Sequence, residues 1–199
     1  IFRNFSNLSL IDNIHRPEKT DKLKLVYIGG VNYKRGVIEC AEFCRKYNNE
    51  VDKDILQFYL YGPENNSVKK LVDENLIIYK GYVSYKKIFD VLPKYDIGVC
   101  LLQRINKFIR NLPMKNFEYM SVGLPILTSN FGNLKTYMNK SEAGICIDPN
   151  SYRDFKSAID KLRNVDVRKQ MSINGISYTK RFLLLDNEIK PYLDFIGRS

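Results

Sequence analysis

A chain of 199 residues with 44% hydrophobic and 13% aromatic residues has the composition of a folded globule, and at this length one domain buries about 70% of its unfolded surface. The net charge of +10, from 32 Lys+Arg against 22 Asp+Glu, favours anionic partners: a nucleotide diphosphate, an anionic membrane face or a nucleic acid. No nucleic-acid motif accompanies the scattered pairs Lys34-Arg35, Lys69-Lys70, Lys86-Lys87 and Lys180-Arg181, no apolar run reaches the length of a membrane span, and no signal-peptide pattern opens the sequence.

The sequence starts at Ile1 without a methionine and reads as a piece of something longer, with a polar, unpatterned stretch over 12–21 that has the look of a linker. Strand-like and helix-like segments then alternate. A strand over 23–28 (LKLVYI) runs into Gly29-Gly30 and a helix over 36–47. A strand over 55–61 ends in Gly62-Pro63, and a helix over 67–74 follows. A strand over 76–80 ends in Gly81-Tyr82-Val83-Ser84, with Ser84 suited to cap a helix over 84–92. Next come a strand over 96–102 (DIGVCLL), a helix over 114–122, a strand over 125–128, a short helix over 134–138 and a strand over 144–148. Such alternation predicts an α/β, Rossmann-like parallel sheet with helices on both faces, whose ligands bind at the carboxyl ends of the strands. After Asp148-Pro149 the pattern is helical: 151–163 carries Phe155, Ala158, Ile159 and Leu162 on one stripe, and two further helices are expected, through Arg181 and over 186–196. The implied organisation is the end of a preceding half and a linker over 1–20, a Rossmann-like nucleotide-binding domain over 21–181 and a C-terminal helix over 182–199.

The segment from Asn111 to Ile126 (NLPMKNFEYMSVGLPI) carries the most information. Pro113 suits the first helical position, Gly123 suits the stop and Pro125 prevents continuation. Preceded by a buried strand, the free N–H groups of such a helix face the strand's carboxyl end and attract phosphate. Lys115 and Glu118 lie three apart on one helix face: a diphosphate calls for the cation, a ribose diol for the carboxylate. On spacing alone the same pair is a surface ion pair worth roughly a few tenths of a kcal/mol.

What favours the ligand-binding reading is that Pro113 to Pro125 resembles, position by position, the P-x-K-x-x-E-Y-M-x-x-G-x-P segment of the group 1 family of retaining, nucleotide-sugar-dependent glycosyltransferases. These are built of two Rossmann-like halves (the GT-B fold), and the segment belongs to the C-terminal, donor-binding half. Further pieces of the pattern follow in order over 23–178. The resemblance implies that Glu118 binds the ribose hydroxyls, and that Lys115 and the backbone of Leu112, Pro113 and Met114 meet phosphate and donor sugar. It also implies that the strand ends at Gly62 and at Tyr82-Val83 border the nucleobase, with backbone groups reading its edge; Tyr82 is suited to stack on the base, although an aromatic after a strand is more often packing. The loop after the first strand, Gly29 to Gly36, usually carries an arginine where this chain has Gly30 and a lysine where it has Arg35, both aimed at the diphosphate. Many members also have a glutamate eight residues before the one at Glu118. Arg110 occupies that place here; a subgroup with the Pro-x-Lys version lacks that first glutamate as well. Residues 1–7 resemble the last strand of the N-terminal half, and in complete relatives the final helix crosses back onto that half, so 182–185 (FLLL) would have its partner there.

Other chemistry finds little support. His15 is the only histidine and lies in the linker, against a histidine base, a Ser-His-Asp triad or a histidine metal site. Asp52-Lys53-Asp54 imitates a metal-binding Asp-x-Asp but precedes a strand, and reads as a solvated turn. Cys40, Cys44, Cys100 and Cys146 lack metal-ligand spacing and read as buried, reduced thiols of a cytoplasmic protein. The expectation is therefore the donor half of a metal-independent, retaining, hexosyltransferase-type enzyme of polysaccharide synthesis. It would take a nucleoside diphosphate sugar as co-substrate and no other cofactor, with Lys115 and Arg35 stabilising the leaving diphosphate. By family frequency UDP leads and GDP follows. The acceptor, a glycan or a lipid-linked sugar at the inner membrane face, and any base belong to the N-terminal half. Rival readings are a nucleotide-sugar isomerase or hydrolase of the same architecture, and a non-catalytic nucleotide-binding domain. An NAD-dependent dehydrogenase is disfavoured because the loop Gly-Gly-Val-Asn-Tyr-Lys-Arg-Gly lacks a full Gly-x-Gly-x-x-Gly turn.

Overall fold

The computed structural model describes residues 17–182. Six parallel strands form one sheet: β1 (Leu23–Ile28), β2 (Leu56–Tyr61), β3 (Ile78–Tyr79), β4 (Ile97–Cys100), β5 (Ile126–Ser129) and β6 (Gly144–Ile147), in the order β3-β2-β1-β4-β5-β6. β1 pairs with β2 over its whole length, from Leu23 opposite Leu56 to Ile28 opposite Tyr61, and with β4 through Leu25–Ile97 and Val26–Gly98. Chain order reverses between β1 and β4, which is where a doubly wound sheet opens a crevice at its carboxyl end. Every residue of β4 and β5 is buried, as strands covered on both faces require.

The helices are α1 (Val37–Val51), α2 (Asn66–Asp73), α3 (Tyr85–Val91), α4 (Asn106–Ile109), α5 (Met114–Ser121), α6 (Gly132–Ser141), α7 (Tyr152–Leu162) and α8 (Val165–Phe182). On one face of the sheet, Leu23, Leu25 and Tyr27 of β1 pack with Cys40, Ala41 and Cys44 of α1 and with Phe155, Ala158 and Ile159 of α7. On the other, Val26 packs with Ile88 and Phe89 of α3 and with Phe117, Tyr119 and Met120 of α5. The alternation of the β1 side chains thus sends one set to each layer.

Two close approaches seat α5. A Cβ added to Gly98 of β4 would lie 2.5 Å from the Tyr119 ring, and the Tyr119 hydroxyl donates to the Val99 carbonyl at 3.3 Å. The ring therefore occupies the space left by the missing side chain. Behind it, Ser172 and Gly175 of α8 meet Gly123 and the backbone of Met120, so small residues let α8 lie close against α5. Arg168 of α8, fully buried, fastens a third seam. Its guanidinium donates to the carbonyls of Leu162 (2.6 Å), Arg163 (3.2 Å) and Glu18 (2.5 Å), tying the start of the described chain to the α7–α8 joint.

Several expectations shift. Pro113 is the N-cap of α5, with ψ 126, and Met114 takes the first helical position. Ser84 is likewise an N-cap, but its side chain makes no capping hydrogen bond. β3 at the sheet's edge has two residues where five are expected, α6 is longer than expected, and α4 is an element the sequence pattern does not announce. Cys40, Cys44 and Cys100 are buried, whereas Cys146 is half-buried. The first of the two late helices is α8. The second, the residues before Pro17 and most of 182–185 lie outside the described residues, although Phe182 itself is half exposed.

Because Tyr119 fills the place of the Gly98 side chain, Gly98→Ala is expected to destabilise the protein by about 1–3 kcal/mol, as overpacking does. Gly30→Ala, where the added methyl meets nothing within 4 Å, should fall within about 0.5 kcal/mol of wild type. Thermal unfolding followed by circular dichroism reads both; equal midpoints for Gly98→Ala and wild type would contradict this seating of α5.

Candidate functional site

The candidate residues come from four strand ends. After β1 the chain turns at Gly29, whose φ of +136 favours glycine, and Gly29 N–H donates to the Tyr61 carbonyl at 2.8 Å. A Cβ on Gly62 would strike the Gly29 carbonyl, so the loops after β1 and β2 touch through two glycines. Gly62 in turn donates to the Gly81 carbonyl at 3.0 Å, which brings in the loop after β3. A 3-10 turn over Tyr33–Arg35, capped by the Asn32 side chain, leads to Gly36, where a Cβ would collide with the Leu101 carbonyl. Gln103 N–H donates to the Lys34 carbonyl at 3.0 Å, closing this loop onto the end of β4.

α5 begins at that same end. No acidic residue lies in its first turn and its N-cap makes no side-chain hydrogen bond, so no local carboxylate competes for its leading N–H groups. Lys115 is half-buried and reaches back over the end of the sheet: its Nζ lies 3.7 Å from the centroid of the Tyr27 ring and 3.2 Å from where a Gly29 Cβ would stand. Glu118, only 6% exposed, sits one turn along α5. Burial raises its carboxyl to about 6, with the Lys115 charge opposing the shift. Lys115 and Glu118 form no ion pair among those of the described residues, which sets aside the surface-pair reading of their spacing. A buried carboxylate without a cation in contact is costly unless a ligand hydroxyl or proton serves it.

The remaining candidates spread around this centre. Arg35 stacks its guanidinium 5.5 Å from the Phe108 ring of α4; burial raises the Cys100 thiol nearby, and the charges of Lys115 and Arg35 oppose that shift. Leu112 and Met114 are half-buried and Pro113 is buried. Tyr82 is 78% exposed, while Val83 packs partly against the α3–α5 core. Arg110 ends α4, where its carbonyl accepts from Asn133 at 2.9 Å. Asp52-Lys53-Asp54 is exposed, with Asp54 paired to Lys22 at 2.8 Å, as a solvated turn should be. It borders a cleft of about 610 Å³ beside the amino ends of β2 and β3, at the opposite end of the sheet from Lys115. Among the described residues no group of three His, Cys, Asp or Glu is disposed to hold a metal. None of their helices is long and apolar enough to cross a membrane.

Sequence reasoning missed three residues here. Tyr27 donates from its hydroxyl to the Gly30 carbonyl at 2.9 Å beneath Lys115. Tyr85 opens α3, and burial followed by the Glu118 charge raises its hydroxyl. Asn116, 5% exposed, donates to Thr128 Oγ1 at 3.3 Å and keeps a buried Oδ1 with no hydrogen-bond partner. All three are ordinary residues in their local patterns; only the packing of distant strand ends distinguishes them.

Comparison with known proteins accords with this architecture. The family model described as "Glycosyl transferases group 1" matches residues 11–178. The C-terminal domain of a group 1 glycosyl transferase, LpcC from Francisella tularensis, superposes with a TM-score of 0.69 at 14% identity, covering 90% of this chain and 99% of that one. Sucrose-phosphate synthase from Thermosynechococcus elongatus gives 0.68 at 16% identity, over 98% of this chain and 52% of its own. TarM from S. aureus, in a complex that includes UDP, gives 0.68 at 18% identity, over 96% of this chain and 38% of its own. The chain thus spans a whole isolated C-terminal domain but about half or less of the longer proteins it resembles. Among curated proteins none matches. With a family match over most of its length and the six-stranded sheet of a C-terminal GT-B domain, the chain belongs to the group 1 glycosyl transferases.

Proposed function

We propose that this chain is the donor-binding domain of a glycosyltransferase that moves a sugar from a nucleoside diphosphate, with UDP the first candidate, to a glycan or lipid-linked acceptor. The transfer retains anomeric configuration and uses no metal ion. The observation that carries the reading is the pair on α5: an ammonium over the glycine loop and, one turn on, a buried carboxyl raised to about 6 that is in no ion pair among the described residues. The diphosphate would lie against Lys115, the Gly29-Gly30 backbone and the first turn of α5; the ribose diol would donate to Glu118. As the sugar–phosphate bond breaks, negative charge grows on the diphosphate, and a fixed ammonium with helix-terminal N–H groups stabilises it without reorganising. Arg35 adds to the field from the far side of the loop. The acceptor-binding half, and with it turnover, would come from an N-terminal partner, at a membrane face if the acceptor is lipid-linked. The chain by itself would bind nucleotide.

Titration calorimetry with UDP, GDP, ADP and uridine tests this. Lys115→Ala should weaken UDP by about 10- to 100-fold, the worth of a charged hydrogen bond, and leave uridine unchanged. Unaltered UDP binding by both Lys115→Ala and Glu118→Ala would refute the site. Gly30→Arg has room, since an added Cβ meets nothing within 4 Å, and should tighten UDP about three- to tenfold with a steeper salt dependence.

Glu118 also sets a pH dependence. Its carboxyl titrates near 6 in the fold against an ordinary 4.5, so the native state holds the proton more tightly. The associated stability is fully present below 4.5 and is lost as pH rises through about 6. Glu118→Gln should therefore stabilise the free protein at pH 7.5 by roughly 1–2 kcal/mol while weakening UDP. Ribose binding needs the ionised carboxylate, so wild-type affinity should fall more steeply below about pH 6 than that of Glu118→Gln, which retains only the titration of the nucleotide's own phosphate.

A further inference from the structure

Resting on the donor-site reading above, we propose that Tyr27 is a positioning residue for diphosphate recognition: its ring face holds the Lys115 ammonium and its hydroxyl fixes the carbonyl of the glycine loop. Tyr27 is 1% exposed and belongs to the core layer of α1 and α7, whereas Lys115 belongs to α5 on the other layer. The contact between them, 3.7 Å from Nζ to ring centroid, therefore crosses the carboxyl end of the sheet at the β1/β4 switch. The Tyr27 hydroxyl donates to the Gly30 carbonyl at 2.9 Å, and a Cβ on Gly29 would stand 3.4 Å from the Tyr27 hydroxyl oxygen and 3.2 Å from Lys115 Nζ. One side chain thus touches both elements that would meet the diphosphate.

The chemistry of the anchor matters. A carboxylate would hold the ammonium firmly but cancel its charge and compete with phosphate for its N–H groups. An aromatic face attracts the cation through its quadrupole, leaves the net charge at +1 and occupies one side only. Lys115 is thereby held short of solvent with its donors free on the loop side. By drawing the Gly30 carbonyl down, the hydroxyl keeps that acceptor occupied within the protein. Tyr27 makes no contact with the reacting atoms in this scheme and acts through Lys115 and the loop.

The test uses the full chain with two variants. In wild-type protein the ε-methylene protons of Lys115, assigned by comparison with Lys115→Arg, should be shifted upfield by the ring and move downfield on adding UDP. Tyr27→Phe keeps the ring and should keep the upfield signal while losing about two- to threefold in UDP affinity, the net worth of one hydrogen bond. Tyr27→Leu should lose the upfield signal and about tenfold in UDP affinity, with uridine unchanged in both variants. An unshifted Lys115 signal in the wild type overturns the proposal, as does wild-type UDP affinity in Tyr27→Phe and in Tyr27→Leu. If Tyr27→Leu fails to fold, the Lys115 signal and the Tyr27→Phe titration decide. Wild-type protein that binds no UDP overturns the donor site and this inference together, whereas wild-type binding that ignores Tyr27 overturns this inference alone.

Discussion

Helix α5 has almost no freedom in where it lies, because the Tyr119 ring fills the position that a side chain on Gly98 would take. Everything proposed for the site follows from that seating. With the ring locked between β1 and β4, the first turn of α5 stands at the point where the sheet reverses its chain order. Lys115 then overhangs the β1 loop and Glu118 is drawn below the surface. The small residues of α8 press from behind and prevent the helix from lifting. A ligand site built this way is rigid at its base, which is what a preorganised electrostatic contact needs.

The charges at this end of the sheet are handled in an unusual balance. The two cations aimed at the loop region rest on aromatic rings, Lys115 on Tyr27 and Arg35 on Phe108, and neither is in an ion pair among those of the described residues. Among the described residues, ion pairs such as Lys22–Asp54 and Lys156–Glu50 lie elsewhere on exposed surfaces, where they contribute little to stability. The consequence is a positive field that the protein does not neutralise itself. Glu118, the single buried acid of the site, is left largely ionised at neutral pH without an ion-pair partner among the described residues, against the upward pull of burial. Stability is given up at one residue in a manner expected of binding sites.

Much of this was legible in the chain before any coordinates. Alternating apolar strands and amphipathic helices give a doubly wound sheet, and the Pro113 to Pro125 pattern singles out α5 and its two charged residues. What escaped was non-local. α4 is a single turn at Asn106–Ile109, held by Phe108 in a small cluster with Cys100, Leu102, Phe131 and Leu134, and no periodicity announces four residues. Pro113 fits either of two adjacent positions at a helix start, and the extended ψ that it adopts decides for the N-cap. Tyr27 reads as one more apolar residue of a buried strand. Its pairing with a lysine 88 positions later depends on α5 being docked at the β1/β4 boundary, a fact of topology and not of local sequence. Cys146 looked like a core thiol because its strand is apolar, yet β6 is the sheet's edge and leaves it half-buried.

The most direct test of the account is a crystal structure of the chain with UDP. It should show the diphosphate against Lys115 and the Gly29-Gly30 backbone, the ribose hydroxyls on Glu118, and the Lys115 ammonium drawn from the Tyr27 ring toward phosphate. Nucleotide bound in the cleft beside Asn48 and Asp52 at the other end of the sheet, with the surface over α5 empty, would contradict it.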